Sequence, residues 1–568
     1  MRAPPYFISQ IPPMLNKRPS MRWLLWLMPL AFMAVFFYHP LVRVFERMLR
    51  AVAVTGLGTP NALRIIIRAL TFTLWQAGLS TVLTMLLGLP AAYLFARFRF
   101  PGKRVFSVLF TLPFILPTVV VVTAFTATLG AGGWINQALM NLFNLTRPPL
   151  SFMNTLGAIL LVHVFYNLAI VIRVVGSAWS QLDLKTVHAA RVLGASPWRT
   201  LREITLPLLR PSLLAAAVLV FLFDFTSFAV ILMLGGPRFS TLEVEIYLQA
   251  LNLLNLPLAA ALAGVQLGVT LLLTILYQRV QGLSSLPLLP RLHGETTRAP
   301  RNRAESAFVA LMLALLVILL VLPVGVLLLR SVQYAPPGSA QPQITLLYFR
   351  ELFVNRRGSL FYIAPIQAVR NSLVYASLTM VFSLVLGYQI AYAFQHRTVL
   401  ARWLETAVML PLGASPITLG LGFILVFSRP PWDPGSFPLL IPLAHTLIAL
   451  PMVVRTIQPA VNSIPRNLRD SAAVLGASPL QRWLRIDLPI LSKPALTAGL
   501  FTFAVSLGEF GATSFLARPE NPTMPTAIFR FFSQPGVLNF GQAMAMSVIL
   551  LVICAVSFFV IENIQKSP

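Results

Sequence analysis

Long apolar segments alternate with short polar ones along the whole chain. Each apolar segment has about 20 residues, enough for a helix to cross a hydrocarbon layer of about 30 Å. The alternating pattern of membrane β-barrel strands, with about ten residues per strand, is not found. The pattern therefore predicts an all-α polytopic membrane protein with about twelve transmembrane helices, at 23–45, 69–96, 105–130, 152–176, 212–235, 257–280, 307–330, 370–395, 403–428, 437–456, 494–517 and 540–562.

The predicted helices divide into two similar sets of six. The loops that follow the fourth and tenth helices share a pattern of small residues, one glycine and a Leu-Pro pair. The two copies hold His188, Ala189, Ala190, Gly194, Leu206 and Pro207 in the first loop, and Asp470, Ser471, Ala472, Gly476, Leu488 and Pro489 in the second. His163 likewise recurs as His445, 282 positions later. Because six is an even number, the two repeats are predicted to be parallel.

The repeat and the charges predict the domain boundaries and the orientation. Lys and Arg residues are more frequent on the side that holds the N-terminus, so the positive-inside rule places that terminus and both repeated loops in the cytoplasm. We expect a cytoplasmic tail at 1–22, a first half at 23–285 with its loop at about 180–211, a cytoplasmic linker at 286–306, and a second half at 307–568 with its loop at about 460–493.

Composition excludes several classes of protein. About 57% of the residues are hydrophobic and 10% are charged, whereas soluble domains have about 25% charged residues. The net charge of +27 comes from residues in short loops, which indicates membrane topology rather than nucleic-acid binding. Cys554 is the single cysteine, and no His/Cys cluster suggests a metal site.

Each repeated loop predicts two short helices joined by a tight turn. In the first loop, Asp183 is suited to cap one helix, and Gly194 suits the left-handed position just past its end. Ser196 is suited to cap the next helix, with Pro197 in its first turn. Gly476, Ser478 and Pro479 repeat this pattern in the second loop. The adjacent small residues leave a helix face that another protein can approach closely.

The repeated loops resemble the "EAA" loop of type I ABC importer permeases, in which EAA-x3-G is followed by a Leu-Pro pair. The resemblance covers both halves and is similar to the fused ferric-iron and thiamine permease group. It implies that residues 184–194 and 466–476 dock on two cytoplasmic ATP-binding subunits and that an extracytoplasmic binding protein delivers the solute. The sequence departs from the motif at its acidic position, where His188 stands in the first copy and Asp470 in the second.

The chain has no phosphate-binding GxxxxGK[ST] loop. The resemblance therefore implies that ATP is bound by the partner subunits, that the chain holds no cofactor of its own, and that it is not an enzyme. It also implies a multi-pass location in the bacterial plasma (inner) membrane.

Two acidic residues fall late in the fifth predicted helix of each half. Asp224 and Glu509 stand three positions apart when the repeats are aligned. Carboxyl groups at bilayer depth are costly and are usually functional or paired. They are therefore candidates for lining a translocation path that favours cationic cargo, and a structural role in helix packing stays open. For His163 and His445 we expect helix packing rather than metal binding.

Three classes of function are compatible with such a chain. The first is the membrane subunit of an ATP-driven importer, with ferric iron placed ahead of thiamine as cargo and with polyamines and small anions also open. The second is a secondary transporter driven by an ion gradient, since such proteins also use internal repeats. The third is a membrane-embedded enzyme, which is disfavoured because no motif such as HExxH is present.

Overall fold

The computed structural model describes residues 24–54, 60–110, 113, 116–283, 297–334, 343–355, 363–395 and 399–566. Within these ranges, eleven helices are long and apolar enough to cross a membrane. The place of the predicted ninth span, 403–428, is occupied by two helical segments, Leu404–Gly413 and Pro416–Val426, which meet at 104° and would make a twelfth span if counted as one. The predicted all-α membrane fold is confirmed. The predicted tail at 1–22 and residues 286–296 of the predicted linker lie outside the described residues.

The first half is built from helices that end at short polar connections. They are α1 Leu24–Met33, α2 His39–Val54, α3 Pro60–Arg97, α4 Lys103–Leu109, α5 Thr118–Leu129, α6 Trp134–Phe143, α7 Leu156–Gln181, α8 Leu184–Val192, α9 Pro197–Thr200, α10 Leu206–Phe225, α11 Ala229–Leu234, α12 Leu242–Tyr247 and α13 Leu256–Leu283. π-Helical turns occur at Ala34–Tyr38, Leu201–Thr205 and Leu248–Asn252, and a 3₁₀ turn occurs at Gly236–Arg238.

The second half repeats this order after a small hairpin. Its elements are α14 Arg303–Leu320, α15 Leu322–Ser331, β1 Gln333–Tyr334, β2 Gln343–Ile344, α16 Leu347–Arg350, α17 Ile366–Ala393, α18 Val399–Met409, α19 Pro416–Val426, α20 Leu440–Ser463, α21 Arg466–Val474, α22 Pro479–Arg482, α23 Leu488–Gly508, α24 Gly511–Leu516, α25 Met524–Phe532 and α26 Val537–Lys566. A π-helical turn lies at Trp483–Asp487, and 3₁₀ turns lie at Glu351–Phe353 and Leu410–Gly413. The two strands pair antiparallel.

The predicted third span, 105–130, was wrong at both ends. Helix α4 ends at Leu109 and α5 begins at Thr118, so residues 105–130 do not form one helix. Pro113 and Pro117 lie between them, and proline has no amide hydrogen with which to continue a helix. The apolar helical segment instead runs over Thr118–Phe143.

The predicted fifth and eleventh spans, 212–235 and 494–517, were placed too late. The helical spans run over Pro197–Phe225 and Pro479–Gly508. In each, the Leu-Pro pair does not interrupt the helix, because a π-helical turn precedes it. The Leu206 N–H, for example, bonds to the Leu201 carbonyl across that turn. The second helix of each repeated loop is therefore continuous with the following membrane span.

The second and fourth spans of each half pack closely together, as α3 on α7 and α17 on α20. Glycine permits this approach. A Cβ atom on Gly88 would lie 2.6 Å from Val171 Cγ1, and one on Gly387 would lie 2.5 Å from Val453 Cγ1. The pairs Leu87-Gly88 and Leu386-Gly387 thus mark the same helix crossing in both halves.

The two halves share one apolar core. Helix α2 packs against α13 of its own half and α19 of the other, and α15 packs against α26 of its own half and α5 of the other. One cluster of buried side chains includes Phe125 and Phe165 from the first half and Phe423 and Phe515 from the second. The first span of each half therefore joins the two repeats, and the space between them can form a single site.

Candidate functional site

A cavity of about 980 Å³ lies between the two halves. At one end it is lined by His163, Asp224 and Glu509, and towards the other end by Arg173 and Thr456. Arg173 follows His163 by ten residues along α7, which corresponds to about 15 Å of helix. Because α7 leads into the first repeated loop, the cavity extends from the middle of the protein towards the side that carries both loops, here called the loop side.

The acidic residue of the first half is held at the end of the fifth span. Asp224 lies in the last turn of α10 and is 1% exposed. The Asn167 side-chain amide donates to Asp224 Oδ1 at 2.6 Å, and His163 Nδ1 lies 3.4 Å from the same oxygen. His163 Nε2 is 2.8 Å from the Ser227 hydroxyl. One histidine of the fourth span therefore contacts both sides of the break that ends α10.

The second half builds a similar cluster around His445. Its Nδ1 is 2.7 Å from the Ser506 hydroxyl, and its Nε2 is 3.1 Å from Glu509 Oε2. Glu509 follows the last residue of α23, and its carboxyl group accepts hydrogen bonds from the Ala512 and Thr513 amides at 2.8 and 3.0 Å. The Thr513 hydroxyl donates to it at 2.6 Å. This carboxyl group both lines the cavity and fixes the start of α24.

The acid and the serine have exchanged places between the halves. With a shift of 282 positions, Asp224 aligns with Ser506 and Ser227 aligns with Glu509. Three residues are close to one helical turn, so a side chain at either position can reach the same histidine. The three-residue offset between the acids thus has a geometric reason. The expectation that the two histidines serve helix packing agrees with their burial and their bonds to the fifth spans.

A third acidic residue in the cavity was not recognised in the sequence. Glu243 falls between the predicted spans 212–235 and 257–280, but it is 1% exposed and lines the cavity. The Gln266 amide donates to its Oε1 at 3.1 Å, and Ser415 of the second half bonds to its carboxyl group. The chain returns into the protein after the break at Phe228, and this return places Glu243 inside. Its aligned residue is Pro525, so no repeat signal marked it.

The two repeated loops fold as predicted in their turns and caps. Gly194 and Gly476 have φ angles of +87° and +81°, the left-handed values that favour glycine. The Ala195 amide donates to the Ala190 carbonyl, and the Gly194 amide donates to the Arg191 carbonyl. These two hydrogen bonds are those of a Schellman motif. Asp183, Ser196 and Ser478 cap the helices that follow them.

The tips of both loops expose apolar side chains at aligned positions. Val192 and Leu193 are 87% and 86% exposed, and Val474 and Leu475 are 88% and 86% exposed. The predicted docking residues surround these tips. His188, Ala189, Gly194, Pro207, Asp470, Ser471, Gly476 and Pro489 are exposed, whereas Ala190, Leu206, Ala472 and Leu488 are partly buried. Each tip thus presents two adjacent apolar side chains at the same position of the repeat.

The second loop has an anchor that the first loop lacks. The Arg469 Nε donates to Asp487 Oδ1 at 2.8 Å, and the Tyr392 hydroxyl donates to Asp487 Oδ2 at 2.8 Å. Asp487 is 5% exposed. The aligned residues of the first loop are Val187 and Thr205, which cannot form an ion pair. The asymmetry expected from His188 and Asp470 therefore extends to a second pair of positions.

Comparison with known proteins identifies relatives for both halves. Residues 84–285 and 381–567 match the family described as "binding-protein-dependent transport system inner membrane component". The thiamine transport system permease protein of Brucella abortus (strain 2308) is 29% identical over 512 residues, with 88% of each chain covered. That of Escherichia coli (strain K12) is 28% identical over 499 residues, covering 87% of this chain and 88% of the relative. A probable ABC transporter permease protein of Sinorhizobium fredii is 27% identical over 469 residues, with 81% of each chain covered.

Proposed function

Because the chain belongs to the family of binding-protein-dependent transport system inner membrane components, we propose that it is the fused translocation subunit of an ATP-driven importer of thiamine. In this proposal two cytoplasmic ATP-binding subunits dock on the two repeated loops. An extracytoplasmic binding protein delivers the solute to the side opposite the loops, and the N-terminus is cytoplasmic. This family works with binding proteins, so the ion-gradient-driven transporter is not retained as an alternative.

The observation that supports docking is the pair of exposed apolar tips. Val192, Leu193, Val474 and Leu475 project from the loop side at aligned positions in the two halves. Two identical ATP-binding subunits related by a two-fold axis require two such equivalent surfaces. The clusters are small, which suits docking into a groove of each subunit.

A continuous helix connects each proposed docking surface to the cavity. Each loop leads through a π-helical turn directly into the fifth span, which ends at the cavity next to Asp224 or Glu509. A displacement of a loop by its ATP-binding subunit is therefore carried along a continuous helix of 29 or 30 residues. In the proposed cycle, this movement rocks the halves and exposes the cavity to one side at a time.

Docking is tested by placing charge on the tips. We expect that Leu193→Asp together with Leu475→Asp prevents co-purification of the ATP-binding subunit, because a carboxylate cannot be buried in an apolar groove. Ile344→Asp is the control, since Ile344 is 82% exposed but lies on the hairpin after α15, away from the loops. Undiminished co-purification of the double variant would contradict the docking proposal.

Thiamine is placed first as cargo because the similar proteins of Brucella abortus and Escherichia coli are thiamine permeases. The cavity is chemically suited to it. Thiamine carries a positively charged thiazolium ring, and the carboxyl groups of Asp224, Glu243 and Glu509 line the cavity together with the rings of Phe228 and Phe510. Carboxyl groups and aromatic faces both favour an organic cation.

Ferric iron is the alternative cargo, since carboxylates also bind hard metal ions. The two are separated by uptake into proteoliposomes that contain the permease, its ATP-binding subunit and its binding protein. We expect ATP-dependent accumulation of radiolabelled thiamine and none of ⁵⁵Fe³⁺. The reverse result would replace thiamine by iron, and accumulation without ATP would overturn the importer proposal.

A further inference from the structure

Four aromatic rings form a row across the boundary between the halves. The rings of Phe228 and Phe510 stack with centroids 5.5 Å apart and planes at 22°. Tyr247 flanks Phe228 at 5.3 Å, and Phe529 flanks Phe510 at 5.4 Å. The same shift of 282 positions relates Phe228 to Phe510 and Tyr247 to Phe529. The row is therefore nearly symmetric, and its centre is a contact between equivalent residues of the two halves.

The row lies where the cavity ends. Phe228 and Phe510 line the cavity, yet they are only 6% and 3% exposed. The short helices that follow them, α11 and α24, are buried through nearly all of their length. Arg173 and Met452, nearer the loop side, are exposed. The phenylalanine pair is thus buried, whereas the cavity lining at Arg173 and Met452 reaches the surface of the protein.

The hydrogen bonds next to Phe228 and Phe510 stay within the half to which each ring belongs. Ser227, next to Phe228, bonds to His163 of the fourth span, and Glu509, next to Phe510, bonds to His445. Between the halves, by contrast, the two rings meet through a stacking contact, which lacks the directionality of a hydrogen bond. These hydrogen bonds therefore fix each ring to its own half, and only apolar ring contact joins Phe228 to Phe510.

We propose that Phe228 and Phe510 form the gate that closes the cavity on the side opposite the repeated loops. The two histidine clusters act as positioning groups that move each ring with its fourth span. This inference rests on the proposed transport function, because a gate has a purpose only in a translocation path. It names the residues that separate the cavity from the delivery side. It also gives a reason why the helix of each fifth span is interrupted before α11 and α24.

The gate is tested by the accessibility of one introduced cysteine. Cys554 is the only cysteine of the chain, so Cys554→Ala with Val505→Cys leaves a single thiol that faces the cavity. The permease alone is reconstituted into liposomes and treated with a membrane-impermeant maleimide from one side at a time. We expect labelling from the loop side only. After Phe228→Ala and Phe510→Ala, we expect labelling from the opposite side to rise at least tenfold.

Two further variants separate a gate from general loosening of the fold. Phe228→Leu with Phe510→Leu keeps most of the apolar volume and should stay closed. Phe125→Ala removes a ring that does not line the cavity and whose centroid lies 5.4 Å from that of Phe165. The cavity of this variant should also stay closed. If the double alanine variant does not purify as a single species, the single variants Phe228→Ala and Phe510→Ala are measured in its place.

Labelling of the folded alanine variants from the loop side alone would overturn the gate. Labelling of the Phe125→Ala variant from both sides would also overturn it, since any cavity in the core would then open the path. The assay needs neither ATP nor cargo. A failure of the gate is therefore distinguishable from a failure of the proposed transport function, which is measured by ATP-dependent uptake.

Discussion

At the scale of single residues, the site depends on which side chains face one histidine in each half. The sequence predicted that Asp224 and Glu509 belong to equivalent regions, because both follow the repeat. It did not predict that acid and serine exchange places around His163 and His445, since that requires knowing which residues share a helix face. Glu243 was missed for a related reason, because its burial depends on the end of helix α10 and the change in chain direction that follows, which no local pattern indicates.

The carboxyl groups are tested by neutral substitutions of nearly equal shape. We expect Asp224→Asn and Glu509→Gln each to lower transport at least tenfold, which corresponds to about 1.4 kcal/mol, because a cationic cargo loses an attractive group. Ser506→Ala, which removes a hydroxyl from the same cluster, should have a smaller effect. Uptake is compared at equal amounts of protein in the membrane. Wild-type uptake by the Glu509→Gln variant would remove that residue from the path.

The glycines at the crossing of the second and fourth spans allow a test of packing. Gly387→Ala places a methyl group 2.5 Å from Val453 Cγ1, so the helices must shift. Overpacking of this kind typically costs about 1–3 kcal/mol. We expect a lower thermal unfolding temperature in detergent. Gly268→Ala is the matched control, because its Cβ would meet no atom within 4 Å. Equal unfolding temperatures for the two variants would contradict the close crossing.

At the scale of elements, the repeated loops were the best-predicted part of the chain. Their glycine turns and serine caps follow from local chemistry, so Gly194 and Ser196 were sufficient to predict them. The continuation of the helix through Pro207 was not predicted, because a proline ordinarily ends a helix and a π-helical turn leaves no clear sequence signal. The boundaries of the fifth and eleventh spans were displaced for this reason.

The anchor of the second loop should make the two loops unequal in local stability. We expect backbone amides of 466–482 to exchange with solvent more slowly than those of 184–200. Arg469→Ala should remove most of this difference, because Asp487 loses its ionic partner. The converse change, Val187→Arg with Thr205→Asp, should slow exchange in the first loop. Hydrogen exchange with mass spectrometry measures both, and equal exchange of the two loops in the unaltered protein would contradict the argument.

At the scale of the whole molecule, the two halves form one folded unit. The first span of each half packs on both halves, and their buried side chains form one cluster. The end of the predicted linker also contacts the first half, where the Arg99 amide donates to the Arg298 carbonyl at 2.8 Å. The sequence predicted six helices per half and their family, but the packing of each first span on both halves depends on long-range contacts that the repeat does not contain.

This shared core implies that neither half is stable alone. When the chain is divided in the linker after α13 and the halves are produced separately, we expect each to aggregate, because the surface between them is apolar. Produced together, they should purify as a 1:1 complex. Size-exclusion chromatography distinguishes these results. A monodisperse single half would show that the shared core is not required for folding.

The exchanged acid and serine have a consequence for how a solute lies in the cavity. A permease made of two identical subunits must present the same group at the same depth on both sides of its axis. Fusion removes that requirement. Here the acidic residue of the first half, Asp224, lies within α10, whereas that of the second half, Glu509, lies just beyond the end of α23. In the proposed translocation path, a solute with its charge at one end therefore meets two walls that are not interchangeable.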